Sequence, residues 1–358
     1  MDPLLETVLE ELRPRLPEWY PDLDGNARLD VLEMDSRVFA DVIRIDVLHA
    51  EAPPTTLVIK APSGDAPADT TDRPRLVPMT EPADRLELEF EALRTLEARL
   101  AATPDPSLTA VRPLGILPRS AALVMEAFEG QPLHRLLVRG SFRRAAELRP
   151  ATLARRAGRW LRVLHDTPAE DRPVRQGARA DLVDAFTALG SYLAEQGAST
   201  DLDSVIAAGI RATSKLPDPL PTVVSHGDFA PRNILVDSEG RVAVIDLLAR
   251  WQSPPYEDLA GFLVALQTSR ANAATRGLLF GRAVERLEPA FLAGYYGSDP
   301  VPRTAIRVYE LLLLLDKWSA RASRGVARGG VSGLRERMID SHFDARSRFL
   351  ARRLLGGS

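Results

Sequence analysis

The chain has 358 residues, of which 45% are hydrophobic and 27% are charged, the balance of a soluble globular protein with two domains or two lobes. It contains no cysteine, which excludes disulfides, thiolate metal sites and a cysteine nucleophile and fits a reducing cytosol. The net charge of −3 provides no electrostatic drive toward nucleic acid, so we expect no nucleic-acid partner.

The N-terminus does not have the pattern of a secretory signal. It is acidic and is interrupted by Pro14 and Pro17, whereas a signal needs a basic start and an unbroken apolar core. The apolar runs, such as residues 311–315, are far shorter than the roughly 20 residues that span a bilayer. We therefore expect a cytoplasmic protein with no membrane partner. The sequence does not indicate which oligomeric state the protein has.

Periodicity divides the chain into a sheet-rich first part and a helical remainder. In the first part, the expected elements are a helix at 4–12, strands at 27–34, 38–48 and 55–61, a loop at 62–82, a helix at 85–100, and strands at 111–117 and 121–128. In the second part, helices are expected at 152–165, 182–195, 258–269, 275–296 and 304–324, and the arginine-rich stretch 321–353 as a solvated helix face. This order predicts an α+β fold with a small antiparallel lobe at 1–126, a larger helical lobe at 127–358 and a hinge at about 125–130.

The strongest chemical signal lies between His226 and Arg250. Phosphoryl transfer needs a carboxylate beside the acceptor hydroxyl and hard oxygen ligands for Mg²⁺. Asp228 fits the first role. Asn233 and Asp246 fit the second, because a hairpin turn at 237–240 returns the chain so that the two residues lie on adjacent strands. Chance polar residues at a hairpin mouth are the alternative, which the full spacing disfavours.

Two nearby residues are predicted to hold this loop in place. His226 is expected to pack inward and hydrogen-bond the loop backbone, with a general base or a metal ligand as the alternative. Asp258 either caps the helix that follows it or accepts hydrogen bonds from the backbone of the loop, and the two roles are compatible.

In the first lobe, Lys60 ends a strand and is followed by a helix that carries several glutamates. A lysine that grips the α- and β-phosphates of a nucleotide is held by a helix glutamate. Glu89 is the favoured partner because the residues after it turn that helix face inward, and Glu91 is the competitor. An ordinary charged helix surface is the alternative for whichever glutamates face solvent.

The strand at 123–128 runs into an extended linker toward Gly130. Adenine is recognised largely by backbone groups of extended chain, with apolar side chains above and below the ring. Ala127 is the expected backbone partner, Glu126 would supply a carbonyl, and Met125 is predicted to contact the nucleotide as well. The alternative is a plain core strand.

An ordered series of motifs resembles the aminoglycoside phosphotransferase and choline kinase-like family, which shares the protein-kinase fold. The series spans residues 27–300 and comprises VIK, EFEALRTL, LVMEAFEGQPL, LRVLHDTP, HGDFAPRNIL, AVIDLLAR and YEDLAGFL. The resemblance implies a kinase-like fold, ATP or GTP with Mg²⁺ as cofactors, a nucleotide-binding first lobe, and a catalytic, substrate-binding second lobe. It also implies that Asp228 is the catalytic base.

Three departures from the family pattern narrow the prediction. The first strand turn, where Ser36 is predicted to contact the nucleotide, has no glycine. Ala230 stands where relatives often carry a lysine or histidine, so Arg232 is predicted to reach the transferring phosphate. Asp246 is followed by Leu247-Leu248 rather than Phe-Gly, and only residues 247–255 separate it from the next helix, which disfavours a protein kinase.

The predicted function is Mg·ATP-dependent phosphorylation of a hydroxyl on a small molecule. The acceptor classes considered are an antibiotic, a sugar and a nucleoside-like compound, with antibiotic resistance among the possible roles. The arginine-rich last helices favour a neutral or anionic acceptor over a polycation. The alternative is a non-catalytic nucleotide-binding pseudokinase or regulatory module, supported by the missing glycine loop and by Ala230.

Overall fold

The computed structural model describes residues 2–23, 27–36, 40–48, 53–63, 73–76, 85–138, 149–168, 172–198, 201–269, 281–323 and 330–356. By its internal contacts the chain divides into two compact units. The first unit contains Met1–Thr70 and Pro82–Gly130, and the second contains Thr71–Glu81 and Gln131–Ser358.

The first unit is built around one antiparallel sheet. Its elements are α1 (Pro3–Leu12), a 3₁₀ turn (Arg13–Arg15), α2 (Leu16–Trp19), β1 (Arg28–Ser36), β2 (Ala40–Leu48), β3 (Thr55–Pro62), α3 (Arg85–Ala101), β4 (Pro113–Leu117) and β5 (Ala122–Glu126). The strand order is β1-β2-β3-β5-β4, and every neighbouring pair is antiparallel. The predicted strands and the helix at 85–100 are therefore present, although residues 38–39 and most of the loop at 62–82 lie outside the described residues.

Alternation along the strands produces the core of the first unit. Three alternate residues of β2, Ile43, Ile45 and Val47, are fully buried, as expected for a sheet with one face against a core. The N-terminal helices cover that face, with Leu12 of α1 among the fully buried side chains. The opening helix of the chain is thus part of the core and not an appendage.

The second unit is mainly helical. Its helices are α4 (Leu133–Val138), α5 (Pro150–His165), α6 (Arg179–Glu195), α7 (Leu202–Thr213), α8 (Tyr256–Gln267), α9 (Gly281–Tyr296), α10 (Arg303–Ala322) and α11 (Gly330–Gly356). Its short strands are β6 (Gln131–Pro132), β7 (Val223–Val224), β8 (Ile234–Val236), β9 (Val242–Val244) and β10 (Gln252–Ser253). They form a three-stranded sheet in the order β6-β8-β9 and a two-stranded pair of β10 with β7.

Helix α11 corrects one prediction. The stretch 321–353 was expected to be a solvated helix face, but Phe343, Leu350 and Leu354 are buried. Their spacing of seven and four residues places them on one side of the helix, and Arg346 on the same side is half-buried and donates to Gln267 at 3.0 Å. Helix α7 and the two-residue strands β6, β7 and β10 had no specific prediction, and residues 275–280 of a predicted helix lie outside the described chain.

Among the helices that the structure describes, none is both long enough and apolar enough to cross a membrane.

Candidate functional site

The loop that carries Asp228 begins where β7 ends and is anchored by backbone hydrogen bonds on both sides. The amide of Ser225 donates to the carbonyl of Trp251 at 3.1 Å, and the amide of Leu248 donates to the carbonyl of His226 at 3.1 Å. Gly227 adopts φ = +81°, a conformation that favours glycine. The loop therefore leaves the small sheet in a fixed geometry, with the Asp228 side chain 42% exposed.

Asp258, in the first turn of α8, is hydrogen-bonded to the backbone of this loop. Its carboxylate accepts hydrogen bonds from the amides of His226 at 2.7 Å and Gly227 at 3.1 Å. The interpretation of Asp258 as the helix cap is wrong, because Pro255 is the N-cap of α8 and Asp258 lies within the helix. The contacts to the loop backbone are the other role considered from the sequence.

The Asp258 carboxylate is buried but remains ionised through its partners. Burial alone raises its pKa, but the hydrogen bond and charge of His165 and the contacts of His226 outweigh burial, so the pKa lies below the ordinary value. His165 Nε2 lies 3.1 Å from Asp258 Oδ2, and His165 Nδ1 lies 2.7 Å from the Tyr295 hydroxyl. Asp258 thus carries a fixed negative charge toward the loop amides.

The sequence assigned no role to His165 and did not predict its contact with Tyr295. His165 is the last residue of α5 and was noticed only as part of the LRVLHDTP motif. Its burial follows from the apolar spacing along α5. The pairing with Tyr295 joins α5 to α9, 130 residues later in the chain, and no local sequence signal indicates it.

His226 is fully buried, which agrees with the expectation that it packs inward. Its ring packs edge-on against Trp160 and Phe229, with centroid distances of 6.3 and 5.5 Å. Its Nδ1 is 3.3 Å from the amide of Asp228. The ring therefore supports the backbone on which Asp228 is mounted.

Three side chains meet at the exposed end of the loop. The Nδ2 atom of Asn233 donates to the backbone carbonyl of Asp228 and to its Oδ2, both at 2.9 Å. The Arg232 guanidinium pairs with both carboxylate oxygens of Asp228. Because the amide nitrogen of Asn233 makes both of its contacts with Asp228, its Oδ1 atom is the one oriented to act as a ligand.

The hairpin of β8 and β9 brings Asp246 beside Asn233. Ile234 is registered with Val244, and the amide of Ile245 donates to the carbonyl of Asn233 at 2.9 Å. Asp246 follows directly, with φ = +58°. A non-glycine residue in that region is uncommon, and aspartate is one of the few types that adopt it.

The donor set at the hairpin mouth fits Mg²⁺. One amide oxygen and one carboxylate are hard ligands of the kind Mg²⁺ uses when phosphate and water complete its octahedron. Among the described residues, no group of three or more His, Cys, Asp or Glu side chains is arranged to hold a metal. Asn233 and Asp246 alone would supply only part of an octahedral shell.

In the first unit, Lys60 donates to Glu89 with an Nζ–Oε1 distance of 3.1 Å. The two side chains are 19% and 5% exposed, so the pair is largely shielded from solvent. Glu91, the competing partner, is exposed. Lys60 lies in the middle of the sheet, since it is registered with Val42 of β2 and Leu123 of β5.

The strand end at 125–127 is fixed by contacts of its own. Glu126 accepts hydrogen bonds from the Tyr20 hydroxyl and from Arg112, both at 2.7 Å. The amide of Ala127 donates to the carbonyl of Thr56 at 2.8 Å. The amide of Ala127 is therefore already engaged, so the carbonyl or the side chain of Ala127 is the group left to contact adenine.

The other two residues predicted to bind nucleotide also lie in the first unit. Met125 is half-buried in β5, opposite Val58 and Pro113. Ser36 is the exposed last residue of β1 and is registered with Asp41, so it stands at the strand end that precedes the predicted turn. Arg37, the next residue of that turn, lies outside the described residues.

The model of the phosphotransferase enzyme family (APH) matches residues 69–295, more than half of the chain. Comparison with curated proteins gave no match.

Solved structures share the fold at low sequence identity. A spectinomycin phosphotransferase, APH(9)-Ia, in complex with ADP and spectinomycin, is 12% identical with a TM-score of 0.54, over 97% of this chain and 98% of that one. A choline/ethanolamine kinase family protein from Mesorhizobium loti is 15% identical with a TM-score of 0.52, over 96% and 94%. A macrolide 2′-phosphotransferase from Brachybacterium faecium is 20% identical with a TM-score of 0.50, over 92% and 97%. The predicted kinase-like α+β fold is confirmed.

Proposed function

The chain belongs to the phosphotransferase enzyme family, and from that premise we propose that it transfers a phosphoryl group from Mg·ATP, or Mg·GTP, to a hydroxyl of a small molecule. The predicted resemblance to aminoglycoside phosphotransferases and choline kinases is confirmed at the level of the family. The proposal includes the identity of the phosphoryl donor, the metal and the acceptor, and the roles of individual residues.

The observation that carries the proposal is the contrast between two carboxylates. Asp258 is buried and committed to the amides of His226 and Gly227, whereas Asp228, on the loop those amides belong to, is partly exposed. A carboxylate mounted on a rigid loop and open to solvent can orient an acceptor hydroxyl and take its proton as the phosphoryl group leaves. We assign that role to Asp228.

Arg232 is assigned to the transferring phosphoryl group. Its guanidinium pairs with Asp228 in the structure, and it is 53% exposed. An exposed ion pair of this kind is weak, about 0–1 kcal/mol, so a phosphoryl group can compete for the arginine. In that state Asp228 would be released to the acceptor, and the guanidinium would stabilise charge on the phosphoryl oxygens.

Asn233 and Asp246 are assigned to Mg²⁺, through one amide oxygen and one carboxylate. When bound, the ion neutralises charge on the phosphates and aligns them for in-line transfer. The hydrogen bond from the Ile245 amide to the Asn233 carbonyl supports this assignment, because it brings Asp246 beside Asn233.

Lys60 is assigned to the α- and β-phosphates, with Glu89 as the residue that holds it, and residues 125–127 to adenine. The shielded ion pair of Lys60 and Glu89 supports this part of the proposal. The ADP in the spectinomycin phosphotransferase structure supports a nucleotide donor. Cytoplasmic location and a role in antibiotic resistance remain predictions from the sequence.

A second function is favoured by the pairing of Asp228. A carboxylate held by Arg232 next to Ala230 is also what a non-catalytic nucleotide-binding module would tolerate. That pseudokinase would bind nucleotide through the same residues and would turn nothing over.

The test is Mg²⁺-dependent ATP and GTP consumption by the full chain against aminoglycosides, macrolides, nucleosides, sugars and choline. Asp228→Asn is the test variant, and Glu239→Gln, on the exposed hairpin turn, is the matched control. Turnover with one acceptor class that is lost in Asp228→Asn and kept in Glu239→Gln supports the proposal. Nucleotide binding without acceptor-dependent consumption throughout the panel supports the pseudokinase.

A further inference from the structure

A cavity of about 290 Å³ opens in the second unit, where the C-terminal ends of α5 and α9 meet the start of α8. Among the described residues that line it, none has a proposed role in phosphoryl transfer or in binding nucleotide or metal. Its volume lies at the lower limit of ligand pockets, so a ligand that fills it is small. The lining combines tyrosine rings with charged side chains.

Three tyrosines form the aromatic part of this cavity. Tyr295 and Tyr296 are successive residues at the end of α9, with ring centroids 4.8 Å apart and planes at 71°, so the rings meet edge to face. Tyr256 lines the cavity from the first turn of α8. The face of an aromatic ring attracts cations, and the Arg162 guanidinium carbon already lies 5.7 Å from the Tyr295 ring centroid. The cavity thus has an aromatic surface suited to an organic cation.

The charged side chains of the lining carry more negative than positive charge. Arg162 pairs with Asp166, with an Nε–Oδ1 distance of 2.9 Å, and its Nη1 lies 3.8 Å from Asp299 Oδ2. One guanidinium therefore faces two carboxylates, a net charge of −1. The contact with Asp299 is too long for a hydrogen bond, and within the described chain it is the one ion pair that Asp299 makes. Asp299, which is 63% exposed, is thus the carboxylate left to meet a ligand.

Charges just beyond the lining do not reverse this balance. His165, which lines the cavity, is paired with the buried Asp258, and the pair adds either no charge or one negative charge, depending on whether His165 is protonated. Arg303, the chain neighbour of the lining residue Pro302, pairs with Glu288 at 3.7 Å. The C-terminal ends of α5 and α9 add partial negative charge, against the positive N-terminal end of α8. The cavity therefore favours a cation and disfavours an anion.

Hydrogen bonds within the second unit join the wall of the cavity to the Asp228 loop. The Tyr295 hydroxyl lies 2.7 Å from His165 Nδ1, and His165 Nε2 lies 3.1 Å from Asp258 Oδ2. The Asp258 carboxylate in turn accepts from two backbone amides of the loop, at 2.7 and 3.1 Å. His165 and Asp258 are both buried and lie between the cavity and the loop backbone. A ligand in the cavity would therefore contact these side chains and not the Asp228 carboxylate.

We propose that this cavity is a regulatory site for a small organic cation, a primary ammonium ion attached to an apolar group, and that its occupancy stabilises the Asp228 loop through the hydrogen bonds that lead from Tyr295 to Asp258. The ammonium group lies against Asp299, and the apolar part lies against the tyrosine rings. A ligand that binds only the intact arrangement of these groups lowers the population in which the loop opens. The site is separate from that of the acceptor, because an acceptor hydroxyl has to reach Asp228 itself.

Binding is tested on the full chain, without nucleotide, by ligand-observed NMR titration with benzylammonium, benzyl alcohol and phenylacetate. These probes share one benzyl group and are positive, neutral and negative. We expect benzylammonium to bind about tenfold more tightly than benzyl alcohol, through cation–π and charge-assisted contacts, and phenylacetate to bind more weakly than either. Asp299→Asn should weaken benzylammonium binding about threefold, whereas the matched control Asp203→Asn, at an exposed position of α7, should not. Equal affinity for the three probes, or unchanged benzylammonium affinity in Asp299→Asn, would overturn the proposal.

Hydrogen exchange tests the connection to the loop. Saturating benzylammonium should slow exchange of the two loop amides bonded to Asp258 about twofold. Tyr295→Phe keeps the aromatic wall but removes the hydroxyl that contacts His165. We expect this variant to bind benzylammonium without protection of the loop. Unchanged exchange in the wild type, or equal protection in Tyr295→Phe, would overturn the regulatory role. Both measurements are made without nucleotide, so their outcome is independent of whether the proposed phosphoryl transfer occurs.

Discussion

At the scale of single residues, the second unit separates two tasks between two aspartates thirty positions apart. Asp258 is buried and hydrogen-bonded to the loop amides, so its charge is fixed in place. Asp228 is mounted on that loop and remains accessible. Removing the first should alter the shape and stability of the loop, whereas removing the second should alter chemistry alone.

Asp258→Asn should destabilise the protein by about 2–4 kcal/mol at neutral pH, because an amide cannot accept the contacts of His165 and the two backbone amides as a carboxylate does. The folded pKa of Asp258 lies below its ordinary 3.8. Its contribution is therefore complete above that value and is lost as the pH falls through the folded pKa. Urea denaturation of both proteins between pH 7 and 3 should show the difference shrinking at the acid end. A difference independent of pH would contradict this account.

Glu89→Gln should weaken Mg·ATP binding about tenfold, because Lys60 loses the charge that orients it. Glu91→Gln is the matched control on the same helix, since Glu91 is exposed. Isothermal titration calorimetry with a non-hydrolysable analogue measures both. Equal Mg·ATP affinities in the two variants would show that the pair of Lys60 and Glu89 does not contribute to nucleotide binding.

At the scale of elements, the position of the loop depends on how closely α5 and α9 approach. A Cβ atom added to Gly158 of α5 would lie 2.1 Å from the carbonyl oxygen of Phe291, and one added to Gly294 of α9 would lie 2.1 Å from that of Arg155. These contacts are with backbone, so no side chain can move aside. The crossing also carries the hydrogen bond between His165 and Tyr295 that orients the partner of Asp258.

Gly158→Ala should therefore destabilise the second unit by about 1–3 kcal/mol through overpacking, although alanine is ordinarily better than glycine in a helix by about 1 kcal/mol. Gly356→Ala, near the end of α11, has nothing within 4 Å of the added carbon and serves as the control. Thermal denaturation should show a lower Tm for the first variant and an unchanged or higher Tm for the second. A stabilised Gly158→Ala variant would contradict the close crossing.

At the scale of the whole molecule, the N-terminal helices are part of the core of the first unit. Leu12 is fully buried and packs in the same cluster as Ile43, Ile45 and Leu57. Leu12→Ala should cost about 2–5 kcal/mol, and Leu32→Ala, at an exposed position of β1, should cost much less. Hydrogen exchange should show lost protection in the sheet of the first unit for Leu12→Ala alone. Unchanged protection there would mean that the helix is dispensable.

The sequence predicted most elements of the fold because their signals are local. Alternation identified β2 and β3, and helical spacing identified α3, α5 and α10. The two-residue strands β7 and β10 were missed because they pair residues 223–224 with 252–253 across the Asp228 loop, and no periodicity fits in two residues.

The candidate site divides in the same way. The sequence could place Asn233 near Asp246 because the two residues flank one short hairpin, at 234–244. The contact between His165 and Tyr295 depends on long-range packing of α5 against α9, which local patterns do not encode. The backbone contact of Ala127 with Thr56 is a further case, because it depends on strand pairing.

The central claim is that Asp228 takes part in chemistry and not in nucleotide binding. The measurement that tests it most directly follows γ-labelled ATP into the phosphorylated acceptor while Mg·ATP affinity is measured on the same preparations of wild type and Asp228→Asn. We predict that the variant loses about 10²- to 10⁴-fold in the rate of label transfer and binds Mg·ATP within about twofold of wild type, since Asp228 has no assigned contact with nucleotide. Transfer at the wild-type rate in Asp228→Asn, or loss of nucleotide affinity in parallel with transfer, would contradict the account.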